Sequence, residues 1–188
     1  MKPLSIFFLF LLFNNGATAQ NKNRPVFNSY TAGGLIVGQS AKAGVAETVN
    51  GIKMGNWFGG LGLSYNGYQY RSVPVYGDIK YSFGKKKQFF IVGDIGYNIN
   101  IHEKFGEDRF FSSVKYSGGI YLNSGLGYLL RSSKKHSFYF QLDYGKKHVT
   151  KVATESIIID FPPYGGGDSY YTYQYDLKTA DFKIGFKF

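Results

Sequence analysis

Apolar and polar residues alternate along most of this chain. In WFGGLGLSYN (residues 57–66), Trp57, Leu61, Leu63 and Tyr65 share one face, while Phe58, Gly60, Gly62, Ser64 and Asn66 share the other. A strand points successive side chains to opposite sides, so this period of two predicts a β-strand. VPVYGDIKYSF (73–83) sets Val75, Ile79, Tyr81 and Phe83 against Tyr76, Asp78, Lys80 and Ser82. QFFIVGDIGYN (88–98) sets Phe89, Ile91, Ile95 and Tyr97 against Phe90, Val92, Asp94 and Asn98. GIYLNSGLGYLLR (119–131) and SFYFQLDYG (137–145) repeat the pattern, with Arg131, Gln141 and Asp143 on the polar side. The chain ends in DFKIGFKF, where Phe182, Ile184, Phe186 and Phe188 alternate with Asp181, Lys183, Gly185 and Lys187. That last strand is expected to begin near Tyr173. Two further strands, about 29–40 and 45–54, are blurred by Gly and small residues and complete a set of eight.

The connections divide into two kinds. Residues 55–56, 84–87 and 132–135 are short and polar or basic. Residues 99–118 and 149–172 are long, which is uncommon in compact soluble domains. Short turns at one end and long loops at the other are the mark of membrane barrels. With eight strands, both ends of the barrel chain fall on the short-turn side.

An alternating sheet closes in two ways. A soluble lipocalin-like carrier turns the apolar face inward, and a membrane barrel turns it to lipid. Eight faces as bulky as Phe138, Phe140, Leu142 and Tyr144 would overfill an eight-stranded barrel, whose interior only just holds side chains. The opposite faces carry small residues and charges of both signs, Asp78, Asp94, Asp143 and Asp181 against Lys80, Arg131 and Lys183. Buried charges need such partners. The expected fold is therefore all-β: an eight-stranded antiparallel up-and-down transmembrane barrel over residues 29–188. Its lumen holds a polar network of those seven residues and leaves no aqueous channel.

Composition fits that expectation. Aromatics make up 19% of the residues, with 17 Tyr, 18 Phe and one Trp, and there are 25 Gly. Lys2, the apolar run at 4–13 and Ala17-Thr18-Ala19 read as a cleaved secretory signal over residues 1–19. A short segment, 20–28, follows it. Without cysteine there is neither a disulfide nor a lipidated N-terminal cysteine. The formal charge is +10, one unit of which is Lys2. On an exported chain it suits anionic lipid phosphates better than nucleic acid, although a solvated basic face would look the same.

NGIKMGNWFGGLGLSYNGY, VPVYGDIKYSF and NSGLGYLL, with the signal, asymmetric loops and terminal Phe, resemble the small outer-membrane β-barrels of the Bacteroidota, OmpA/OmpX-like in shape. The resemblance covers nearly the whole mature chain and implies a fold and a location, the outer membrane of a Gram-negative bacterium. It implies no single activity. It also implies that Phe182, Ile184, Phe186 and Phe188 form the C-terminal signal read by the barrel-assembly machinery, with periplasmic chaperones as earlier partners. A monomer with a structural or surface-interaction role through the long loops is the expected function.

The alternative, a lipid-A-modifying enzyme, needs a nucleophile and a base. His136 lies beside a short turn, and His102, near Glu103, Glu107 and Asp108, reads as a polar loop rather than a metal site. His148 stands at the outer end of its strand with Thr150 on the same face, and Glu155 is near enough in sequence to orient the imidazole. KKHVTK reads equally as a basic strand end at the headgroups, where Lys146, Lys147, His148 and Lys151 would meet lipopolysaccharide. On that reading the chain is not an enzyme and has no catalytic residue, metal or cofactor. Tyr171, Tyr173 and Tyr175 are expected in an aromatic girdle, with Tyr164 and Tyr170 in the loop.

Overall fold

A computed structural model describes residues 24–101, 113–131, 136–159 and 165–188. Nine strands are described: β1 (Val26–Gly38), β2 (Lys42–Met54), β3 (Trp57–Asn66), β4 (Ser72–Phe83), β5 (Phe89–Asn100), β6 (Ser113–Ser117), β7 (Gly119–Arg131), β8 (Ser137–Ile159) and β9 (Gly165–Lys187). Eight of them close a ring, β1-β2-β3-β4-β5-β7-β8-β9, and β9 pairs back to β1; every seam is antiparallel. The ninth, β6, continues the row of β7, since both pair with β8. Tyr121 pairs with Lys147 and Ser117 with Thr150, so the row gains one residue near Gly118, a β-bulge. The expected signal at 1–19, His102 with its acidic neighbours, and Tyr164 lie outside the described residues.

The alternation predicts β3 and β7 to the residue and sets β1, β2, β4 and β5 within a few positions. Two expectations fail. The stretch 149–172, read as a loop, is strand up to Ile159 and again from Gly165, so β8 and β9 run 23 residues each. VTKVATESIII is rich in β-branched side chains, which favour extended backbone, and it pairs with β9 along its whole length and with β6 over residues 150–154. Within 99–118, Ser113–Ser117 is also strand and pairs with residues 150–154 of β8.

Large apolar side chains point outward. Leu61 is 74% exposed, Phe27 and Ile95 68%, and Leu142 63%. The outward positions at 27–37, 44–54, 57–65, 73–83, 89–99, 120–130, 138–144 and 180–188 include no Asp, Glu, Lys or Arg. Aromatic rings edge this belt. At the short-turn end Trp57 meets Tyr81 at 4.7 Å, Phe89 meets Tyr128 at 5.1 Å and Phe138 meets Phe186 at 4.3 Å. At the other end stand Tyr65, Tyr97 and Tyr144, all exposed. An apolar surface this large does not stay in water on a lone soluble protein, so the inward-facing arrangement of a lipocalin-like carrier is not the one adopted. Phe182, Ile184, Phe186 and Phe188 all lie on this outer face.

Candidate functional site

The lumen is filled by rings as well as charges. Tyr30 meets Phe58 edge-on at 4.9 Å and Tyr139 at 5.7 Å, and Tyr76 meets Tyr121 at 5.4 Å. Phe58 and Phe90, which blur the polar faces of their strands in sequence, belong to this plug. Glycines make room for it: a Cβ on Gly127 would enter the Phe90 ring, one on Gly62 the Tyr76 ring, and one on Gly185 the Tyr139 ring.

Charges thread between the rings. Lys183 on β9 reaches Glu47 on β2 at 2.6 Å and Asp143 on β8 at 2.9 Å, with all three side chains almost wholly buried. Tyr76 donates to the same Glu47 oxygen, 3.2 Å, and Gln141 to Asp143, 2.8 Å. Lys80 pairs with Asp78 and lies 5.0 Å over the Tyr30 ring. Asp94 accepts from Asn123 at 3.0 Å. Thus Asp78, Lys80, Asp94, Asp143, Asp181 and Lys183 are buried in the lumen. The sequence reading missed Glu47, whose strand alternates too weakly for its face to be assigned. Arg131 is the last residue of β7, and its side chain lies outside the described residues.

A second plug closes the lumen towards the long loops. Lys147 was expected at the membrane surface but is only 2% exposed. Its position on β8 has the inward parity of Asp143 and Gly145. Its ammonium donates to the carbonyls of Tyr68 (2.7 Å) and Tyr70 (2.9 Å), Asn66 Oδ1 (3.0 Å) and Ser72 Oγ (3.3 Å). The β3–β4 connection is thereby folded over the mouth, with Gln69 in the left-handed region at φ 50°. The Tyr68 ring fills the gap, packed with Ile36 and Val45 in space left by Gly38. Lys147→Met strips a charged donor from four acceptors, and unmet buried hydrogen bonds cost about 1–3 kcal/mol. The variant is expected to unfold at lower urea and to be cut by protease at residues 67–71. An unchanged midpoint with an intact connection would show that this lysine does not hold it.

Above the plug the mouth is lined with tyrosine. Tyr70 meets Tyr116 at 5.0 Å and Tyr175 at 5.9 Å, and Lys151 lies 5.9 Å from the Tyr173 ring. Tyr171, Tyr173 and Tyr175 are therefore not a girdle: they share the inward parity of Asp181 and Lys183 on β9. Lys151 has the same inward parity on β8, which removes it from the lipid-facing set. Tyr170 is exposed on the opposite face. A pocket of about 550 Å³ opens here between Gln39, Ser40, Tyr68, Gln69, Tyr70 and residues 175–178 of β9.

The outer face just beyond Tyr144 carries a different group. Lys146 and His148 on β8 stand opposite Lys178 and Asp176 on β9. His148 Nδ1 lies 2.9 Å from Asp176 Oδ1, and Lys146 Nζ lies 2.9 Å from Asp176 Oδ2. Thr150 Oγ1 lies 3.5 Å from His148 Nε2. The bonds from His148 and then Lys146 hold the Asp176 carboxyl below the ordinary carboxylate range. Asp176, not Glu155, thus orients the imidazole. It is 28 residues from His148 in the chain and becomes its direct partner only through the β8–β9 register. The described residues contain no cluster of His, Cys, Asp and Glu able to hold a metal.

No family model matches the chain, and no curated protein matches it. Solved structures do. The outer-membrane protein AlkL, determined by solid-state NMR in DMPC bilayers, superposes with a TM-score of 0.55 at 8% identity, over 93% of this chain and 94% of that one. The outer-membrane protein OprG from Pseudomonas aeruginosa superposes with a TM-score of 0.49 at 13% identity, over 87% and 95%. The likeness to AlkL is one of fold: a small closed barrel.

Proposed function

We propose that the chain is a small outer-membrane barrel of a Gram-negative bacterium, of the Bacteroidota type, whose function lies at its long-loop end. The observation that carries this reading is the charge-free apolar belt, edged by aromatic rings, around a lumen that holds the charges. Rings of Tyr and Trp favour the two membrane interfaces, and hydrocarbon replaces water on the belt between them. A lumen doubly plugged by side chains suits a surface-interaction role better than passage. Tyrosine offers rigid contact area with a polar tip, a combination used for binding, so the tyrosine-lined mouth is the interaction surface. Phe182, Ile184, Phe186 and Phe188 serve as the assembly signal before closure, when β9 still lacks its β1 partner. Lys146, His148 and Lys178 meet the phosphates of lipopolysaccharide.

The chain has no cysteine, so single introduced thiols test location and orientation together. Tyr173→Cys is expected to react with a membrane-impermeant maleimide on intact cells. Lys86→Cys, in the short β4–β5 turn, is expected to react only after the outer membrane is opened. The folded barrel is also expected to run faster on a gel before boiling than after. Reversed labelling, or a soluble chain with no boiling shift, would overturn the reading.

A further inference from the structure

The group formed by Thr150, His148, Asp176 and Lys146 has a use that an electrostatic contact with headgroups leaves unexplained. A hydroxyl, an imidazole and a carboxylate stand in series. Nε2 faces the hydroxyl and Nδ1 faces the carboxylate, so the proton on Nδ1 leaves Nε2 free to act as a base. The 3.5 Å separation between hydroxyl and imidazole is long, as catalytic hydrogen bonds commonly are before substrate binds. The second Asp176 oxygen is held by Lys146, so the carboxylate is fixed at both ends.

The surroundings point to the substrate. The bulge at Gly118 lies beside the histidine, and a Cβ on Gly119 would stand 2.8 Å from His148 Cδ2; glycine there lets the ring lie against the sheet. Ile120, next in the row and 62% exposed, offers an apolar neighbour on the outer face. On the other side Lys146 and Lys178 are direct cross-strand partners. Like charges so placed repel; Asp176, 2.9 Å from Lys146, offsets part of that repulsion, and an anionic headgroup beside Lys178 would offset more. Along β8 the outward side chains beyond Tyr144 run Lys146, His148, Thr150, so the lysine pair lies between the apolar belt and the hydroxyl and the whole group stands at the rim of the belt. The acyl esters of a membrane lipid lie at that boundary between hydrocarbon and headgroups.

We propose that Thr150, His148 and Asp176 form a hydrolytic site for the acyl esters of lipids in the outer leaflet. This rests on the outer-membrane reading above. Thr150 Oγ attacks the ester carbonyl carbon while His148 Nε2 takes its proton. The tetrahedral adduct collapses with cleavage of the ester C–O bond, and the imidazolium returns the proton to the leaving alcohol. Water then attacks the acyl-threonine and gives its proton to Nε2. Collapse releases the fatty acid and restores the Thr150 hydroxyl. Asp176 is a positioning residue that holds the reactive tautomer. Ser117 and Gln174, the direct partners of Thr150 on its two sides, share its face. Their hydroxyl and amide flank the Thr150 position and are the donors proposed for the carbonyl oxygen as it gains charge.

The full chain, refolded into vesicles and shown folded by its boiling shift, tests this. One set of vesicles is made of diacyl phosphoglycerides and the other contains lipid A. Fatty acid is expected from at least one set, and the productive set identifies the lipid. His148→Gln and Thr150→Ala are expected to slow release by about 100-fold or more, and Asp176→Asn to a comparable degree. Thr150→Ser should retain the activity, and acid quenching should leave an acyl group on the peptide containing residue 150. A purely structural role for Thr150 would produce neither result. A folded chain that releases nothing from either lipid overturns the inference and leaves the barrel standing, as does full activity in Thr150→Ala. A chain that never enters vesicles overturns the outer-membrane reading and its lipid substrate with it.

Discussion

Lys183→Met is expected to cost about 3–5 kcal/mol of barrel stability, the usual penalty for breaking a buried ion pair from one side. The geometry favours so large a value. Among the described buried residues, five acids (Glu47, Asp78, Asp94, Asp143 and Asp181) outnumber three lysines (Lys80, Lys147 and Lys183), and the Lys147 hydrogen bonds go to the β3–β4 connection and its flanking residues. Lys183 alone engages both Glu47 and Asp143. Asp143 already faces Asp181 directly across the β8–β9 seam, so without the ammonium two carboxyl groups oppose each other beside a third. Urea titration in detergent, read by the boiling shift, measures the change. The triple variant Lys183→Met, Glu47→Gln, Asp143→Asn removes the stranded charges and should recover most of the loss, because the three sites are coupled. A single variant that unfolds with the wild-type midpoint would show that the lumen does not depend on this charge.

Gly127→Val is expected to do comparable damage by a steric route. Its Cβ would lie within the Phe90 ring. That ring cannot easily retreat, since Tyr139 stands 5.9 Å away in an edge-on contact. Overpacking a filled core costs about 1–3 kcal/mol and sometimes more, and here ring, strand and barrel wall would all have to shift. The variant is expected to give little folded band on the gel. Trimming the ring as well, in Gly127→Val with Phe90→Leu, should restore part of it. A well-folded Gly127→Val chain would show the lumen to be looser than this packing implies.

Period-two alternation was enough to read the barrel from Trp57 to Tyr144, because each strand there has one face in lipid and one in the lumen. It was less informative where both environments are polar. Above the belt, β8 and β9 leave the membrane and VTKVATESIII alternates weakly, so a paired hairpin resembled a loop. The lumen charges were legible as polar positions opposite large apolar ones. The ring plug was not, because Phe58 and Phe90 looked like faults in the pattern until the facing glycines gave them a place. Lys147 was misassigned for a related reason: in KKHVTK every second residue faces inward, and the run of cations hid the parity. The partner of His148 was a matter of register. Proximity in sequence favoured Glu155, whereas the antiparallel ladder brings Asp176 directly opposite. Once DFKIGFKF is aligned with SFYFQLDYG by their outward faces, pairing Phe182 with Leu142 also fixes His148 against Asp176.

The seam between β1 and β9 has a consequence in time rather than in energy alone. Six of the eight seams join strands consecutive in sequence, and β5–β7 skips only the short β6. The β1–β9 seam joins the ends of the barrel chain, where Ser29 and Phe188 exchange backbone hydrogen bonds of 3.2 and 2.9 Å. So distant a pairing is the slowest to form. The Lys183–Glu47 contact, 136 residues apart in the chain, spans that seam and can be made only after it shuts. Interactions absent from the transition state govern how fast a protein comes apart, not how fast it assembles. The Lys183→Met barrel should therefore close at nearly the wild-type rate and reopen far sooner, making this buried lysine a determinant of residence time in the membrane.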